Sequence, residues 1–186
     1  MCLVFGYYAF VHGIRVPLLG GVDLGFHEFG HFATYVFPEA VTAAMGSIAQ
    51  ILAPLLIAAY FLIFRRDVLG GALCLAWAGT SAQDVSVYIA DAPFENLPLI
   101  GGEHDWATVL GPDHLNMLGS AHTIASIVKG LGLLLFLAGL ALCIAGPFIE
   151  RRRIREAYRE EQRAAGGGGF AISPPWETGA GPQQPN

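Results

Sequence analysis

The sequence predicts an all-α, polytopic membrane bundle of about four membrane helices, with a further short helix that carries the chemistry and a disordered C-terminal tail. Three observations predict it. Only 13% of the 186 residues are charged, about half the roughly 25% of an average soluble domain. Uncharged runs of 25 residues (40–64) and 20 residues (130–149) match the roughly 20 apolar residues a helix needs to cross hydrocarbon. The remaining charges are segregated, ten acids and four bases in residues 1–149 against five acids and six bases in residues 150–186. This pattern argues against a soluble enzyme. The absence of a basic face or an aromatic-basic module argues against a nucleic-acid partner. Cys2, Cys74 and Cys143 are odd in number and far apart, so neither a disulfide framework nor a thiolate metal site is expected.

Residues 1–20 are apolar apart from His12 and Arg15 and lack the basic start and small-residue cleavage site of a signal peptide; a short first helix is expected there. Residues 22–37 form the short helix discussed below. The run 40–64 is a membrane span ending in Arg65 and Arg66. Residues 68–90 are apolar except for Asp84 and the cluster Thr80, Ser81 and Gln83, which reads as a third span with a buried polar patch. Residues 91–118 carry Asp91, Glu95, Glu103, Asp105 and Asp113 with no Lys or Arg and form an external loop. The last span extends from about Ser120 to Ile149, with Lys129 near its start as a partner for Asp84 or Asp91. In it Ala125, Gly132, Gly139 and Gly146 recur every seven residues, a small-residue seam that permits close helix packing within the chain or between chains. The integral membrane domain is therefore 1–149. It is followed by a basic juxtamembrane helix (150–165) and a Gly/Pro-rich disordered tail (166–186). Cytoplasmic loops collect Lys and Arg. Arg65, Arg66 and the arginines after residue 150 thus place the C-terminus in the cytoplasm, in an integral protein of a bacterial inner membrane whose immediate partner is the lipid bilayer.

The sequence His27-Glu28-Phe29-Gly30-His31 is an HExxH pattern. On a helix its histidines lie four residues apart on one face, within reach of one Zn²⁺, and Glu28 can take a proton from a metal-bound water as general base. Asp23, His27, His31 and Tyr35 recur every four positions, and Phe26, Phe29, Phe32 and Phe37 occupy the remaining surface. Ionisable groups at membrane depth face a bundle interior or a watery cavity, so the polar stripe points inward.

An HExxH helix in a short polytopic chain resembles the intramembrane zinc metalloproteases of the site-2 protease type. The resemblance implies that His27 and His31 bind zinc, that Glu28 activates water, and that an Asp on a later membrane helix supplies a third ligand. Asp84 is the acid well inside a later span, although Thr80-Ser81-Ala82-Gln83-Asp84 departs from that family's Leu-Asp-Gly and Asn-Pro-Asp-Gly settings. The chain is also similar to small bacterial membrane proteins that join a His-Glu-x-Gly-His helix to a Gly-Gly-Glu-His-Asp-Trp loop.

That loop, Gly101-Gly102-Glu103-His104-Asp105-Trp106, places three potential ligands behind a flexible glycine pair, with Trp106 as an interfacial anchor. If the motif helix lies in the outer half of the membrane, His104 completes a three-ligand catalytic zinc with an open water position, and Asp105 holds an imidazole from outside. If the motif helix crosses from the inside, Asp84 is the better third ligand. His114 and His122 read as interfacial hydrogen-bond donors. The function expected is that of a membrane-embedded zinc-dependent hydrolase, a metallopeptidase acting on a peptide or membrane-protein substrate. A metal-dependent lipid amidase or esterase and a non-catalytic metal- or haem-binding protein are the alternatives.

Overall fold

The coordinates are a computed structural model, and the residues described are 2–99 and 103–164. Among them the chain is helical, with no strand. Helix α1 (Cys2–Gly6) runs on as a π-helical turn (Tyr7–Val11), and residues 13–16 are non-helical. This first helical stretch is much shorter than the roughly 20 residues of a membrane crossing. Helix α2 (Leu19–Thr34) carries the HExxH motif. Helix α3 (Glu39–Ala59) begins with Glu39 in its first turn, where a carboxylate complements the positive end of the helix dipole. It tolerates Pro54 and continues as a π-helical segment (Tyr60–Arg65). Arg66, in the left-handed region at φ 53°, ends it.

Helix α4 (Val68–Asp91) starts at Asp67, whose side chain accepts the Gly70 amide at 2.9 Å, satisfying one of the unpaired amides of a first turn. Its C-terminal end is held by Asp91, whose two carboxylate oxygens accept the Asn96 and Leu97 amides at 3.2 and 2.9 Å. Asp91 therefore fastens the start of the following loop. Where the acidic loop was expected, the chain forms a six-residue helix, α5 (Asp105–Leu110), capped by His104. A 3₁₀ turn (Leu118–Ser120) leads into the long α6 (Ala121–Ala164). Gly101 and Gly102 and the Gly/Pro-rich tail lie outside the described residues.

The chain divides into two compact units, residues 1–144 and 145–186. In the first, α4 is the most buried element, with Ala72, Ala76, Ala78, Gly79, Ala82 and Ile89 among its enclosed residues. The α6 seam packs within the chain, against this helix. A Cβ on Gly132 would lie 2.8 Å from the Gly79 carbonyl oxygen, and one on Gly139 2.6 Å from that of Ala72. Small residues on both faces let the backbones touch. One core cluster joins α3, α4, α5 and α6 through Ala43, Val85, Ile89, Val109, Leu110 and Ala121. Ile89 and Leu110 are fully buried in it. A second cluster sets Phe136 of α6 against Ala76, with Phe5 and Phe10 packed on it. In the second unit residues 145–164 are helical, and Arg151, Arg152, Arg153 and Arg155 are exposed.

Among the described residues, two helical stretches are long and apolar enough to cross a membrane, Glu39–Arg65 (27 residues, mean hydropathy 2.2) and Leu118–Arg163 (46 residues, mean hydropathy 2.4). Their apolar windows are only 22% and 17% buried, leaving Leu56, Ile63 and Phe64 on one, and Ile127, Leu131 and Leu134 on the other, facing outward. Helix α4 falls outside this pair because its surface is spent on neighbours: small and polar side chains replace the large apolar ones where other helices cover it.

Candidate metal centre

The centre is built where α2 and α3 touch. Gly30, inside the motif, leaves no room for a side chain: a Cβ there would run into the Met45 carbonyl oxygen and come within 2.9 Å of Ala49 Cβ. Gly46, on the facing turn of α3, does the same for the ligands, since its Cβ would sit 2.6 Å from His31 Nε2 and 2.8 Å from His27 Nε2. The turn between the helices is closed by hydrogen bonds. Thr34 Oγ1 donates to the Gly30 carbonyl and Thr42 Oγ1 to the Thr34 carbonyl, each at 2.7 Å.

Against this wall the two imidazoles stack edge to face, with ring centroids 4.7 Å apart. Their Nε2 atoms converge on one oxygen, Asp105 Oδ2, at 2.9 Å from His27 and 3.3 Å from His31. The three ligand atoms all lie within 4.8 Å of one another, so His27, His31 and Asp105 form a group that can hold a metal ion. Bond lengths of about 2.0–2.2 Å to zinc imply tetrahedral ligands roughly 3.4 Å apart, a small widening of the spacing found. Their side chains are 12%, 24% and 17% exposed.

The tautomer of His31 strengthens this fit. Its Nδ1 lies 2.9 Å from the Thr42 carbonyl oxygen, and a carbonyl can only accept, so the proton is on Nδ1. In neutral His31 the Nε2 lone pair then faces a carboxylate oxygen at 3.3 Å. Two acceptors in contact repel unless a positive species lies between them, either a proton or a metal ion. A carbonyl behind the non-ligating nitrogen is the usual device for orienting a metal-binding imidazole.

Asp105 is aimed by its own helix start and by Tyr88. The Asp105 amide donates to the Tyr88 hydroxyl at 3.1 Å, and that hydroxyl donates to Asp105 Oδ2 at 3.3 Å. Trp106 fastens α5 to α3, its Nε1 donating to Ser47 Oγ at 3.0 Å. It is half-buried and packs against the core.

His104 is not brought to the histidine pair. It is buried, its Nδ1 accepts the Ala107 amide at 3.3 Å as the cap of α5, and its ring stacks on Tyr88 at 4.2 Å. Its Nε2 makes no hydrogen bond and lies 3.5 Å from Asp91 Oδ2. Capping requires the side chain to fold back over its own helix start, which turns it away while the next residue, Asp105, faces the pair. Asp84 is also outside the group: it accepts Arg15 Nε at 2.9 Å and Gln50 Nε2 at 3.1 Å. Arg15 thus takes the place expected of Lys129, which is exposed. His114 and His122 are exposed; His114 Nδ1 bonds the Thr108 carbonyl and His122 packs on Phe94.

The polar stripe of α2 divides its duties. Asp23 is buried and accepts Trp77 Nε1 and Ser81 Oγ, both at 2.8 Å, on one oxygen, so it fastens α2 to α4, while the next two turns present His27 and His31. All three members of the group line a cleft of about 800 Å³, within the usual range of ligand sites of roughly 300–1,000 Å³. Glu28 is exposed and lines the same cleft. Five carboxylates, those of Glu28, Glu39, Asp84, Glu103 and Asp105, and a single guanidinium, that of Arg15, face it. Such a wall concentrates cations.

Tyr88, Gly46 and Arg15 were not legible as parts of the site. Tyr88 lies one turn after Asp84 on α4, a spacing that marks the inward face of that helix, but nothing in the sequence links it to Asp105. No protein-family model, curated protein or solved structure matches this chain; the centre is read from its geometry.

Proposed function

We propose that this chain is an integral membrane metallopeptidase in which His27, His31 and Asp105 hold a zinc ion and Glu28 is the general base. The single observation that carries the reading is the convergence of both Nε2 atoms on Asp105 Oδ2 in the wall of a large cleft that Glu28 shares. Three protein ligands with one open side is the donor set of a catalytic rather than a structural zinc. When bound, the metal supplies a water acidified toward neutrality and a Lewis acid for a substrate carbonyl. Glu28 would take one proton from the attacking water and deliver it to the amide nitrogen as the C–N bond breaks; the second water proton would pass from the product acid to the amine, giving a carboxylate and an ammonium. The Thr42 carbonyl holds the His31 tautomer, and Tyr88 holds the third ligand.

The membrane setting is supported by the length and hydropathy of α3 and α6 and by their outward apolar side chains. Helix α4 passes between them as a further span, and Arg65, Arg66 and the arginines after residue 150 lie in the cytoplasm of a bacterial cell. The third ligand then comes from α5 in the external connection, so the centre opens toward the outer half of the bilayer, unlike the site-2 type with its ligand inside a span.

The test is zinc content and peptide hydrolysis of detergent-purified protein. Native chain and Glu28→Gln should each carry one zinc, His27→Ala none, and only the native chain should turn over. Full activity in Glu28→Gln, or absence of bound metal in the native protein, overturns the reading.

A further inference from the structure

The cleft holds one cationic side chain whose placement is not explained by the metal. Arg15 lies on the non-helical segment 13–16, its side chain is 59% exposed, and it lines the same cleft as His27, Glu28 and Asp105. Its stem is supported, because Gly20 leaves room for it: a Cβ there would lie 3.2 Å from Arg15 Cβ and 3.5 Å from Cδ. Its head is aimed by a carboxylate that is itself held from behind. Asp84 Oδ1 accepts Nε at 2.9 Å while Asp84 Oδ2 accepts Gln50 Nε2 at 3.1 Å. Only Nε is used; the two terminal nitrogens have no partner among the described residues. A guanidinium fixed through Nε presents its other edge as a fork that fits the two oxygens of a carboxylate.

We infer that Arg15 is a carboxylate-binding subsite, and that the substrate is a peptide bearing an acidic side chain or free C-terminal carboxylate beside the bond to be cut. This deepens the metallopeptidase reading and rests on it for the reaction. Besides Asp84, which holds Arg15, four carboxylates line the cleft and repel a ligand anion, so among the side chains of the cleft wall its negative group is received by Arg15, which orients the chain with its carbonyl toward the metal centre. Two non-helical segments, 13–15 and 97–99, line the cleft, and backbone outside a helix can pair with the main chain of a peptide, which a lipid lacks.

The experiment measures binding to Glu28→Gln protein in detergent by fluorescence anisotropy, using matched hexapeptides with Glu, with Gln, or with a free rather than amidated C-terminus. It is run with zinc and with chelator. The carboxylate peptides should bind about tenfold or more tightly than the all-amide peptide, as expected for a charge-assisted pair. The preference should persist without zinc, survive in part in Arg15→Lys, and vanish in the Arg15→Gln/Asp84→Asn double variant, which avoids an orphaned carboxylate. Equal binding of all peptides to the Arg15 protein, no binding of any, or a preference that outlasts the loss of Arg15 overturns the inference. So does Arg15-dependent binding of phosphatidylglycerol vesicles with no peptide preference, which assigns the guanidinium to a lipid phosphate. Loss of zinc or of turnover with the preference intact removes the metallopeptidase reading alone.

Discussion

Thr42 touches the candidate metal centre through its backbone: the carbonyl accepts His31 Nδ1–H while the hydroxyl donates to the Thr34 carbonyl, so one residue both closes the turn and sets the His31 tautomer. Tyr88 plays the matching part for Asp105, donating to Oδ2 and accepting from its amide. Tyr88→Phe removes both bonds and keeps the ring, and zinc affinity measured by chelator competition should fall about 10–100-fold, the usual cost of losing such support; unchanged affinity would make Tyr88 a bystander. His104→Asn, by contrast, keeps a capping acceptor and should retain one zinc per chain, with only a lower unfolding temperature. Loss of the zinc would return His104 to the ligand set.

Two helices can approach only as closely as their small residues allow, and this controls both the centre and the bundle. At Gly30 and Gly46 the contact of α2 and α3 makes room for imidazoles; at Gly79, Gly132 and Gly139 the contact of α4 and α6 is backbone on backbone. Gly139→Val should therefore destabilise the detergent-solubilised protein by about 1–3 kcal/mol, the range for an overpacked interface. Gly130→Val, where nothing lies within 4 Å, should leave thermal unfolding nearly unchanged. Equal effects of the two would show that the seam does not face α4. The seven-residue spacing revealed a small face but not its partner, because spacing within one helix says nothing about which surface meets it.

Within residues 1–144, Asp23, Gln50, Ser81 and Gln83 are buried while Leu56 of α3 and Leu131 and Leu134 of α6 face outward. The 13% charge accords with two helical stretches long and apolar enough to cross a membrane. A reporter fused after Asn186 should be active on the cytoplasmic face, and one inserted at residues 101–102 on the outer face. The opposite result would invert the orientation and place the centre toward the cytoplasm. The acidic connection was expected to supply ligands and brings Asp105 into a group that can hold a metal ion, yet its helix α5 was not foreseen. Six residues with one capping histidine are too few for a periodic signal to rise above a loop.

The sequence by itself determined the helical class, the two long apolar stretches and the His27/His31 pair, because each depends only on spacing along one helix: length for a span, four residues for two imidazoles on one face. The tertiary structure decided which acid joins them. His104 and Asp105 are neighbours in sequence and equal in ligand chemistry, but the cap of α5 commits the first to its own helix and turns the second toward a histidine 78 residues earlier. Asp84, the other candidate, is taken by Arg15, 69 residues away. A metal site is a distance condition among three atoms from separate elements, and only packing can satisfy or refuse it.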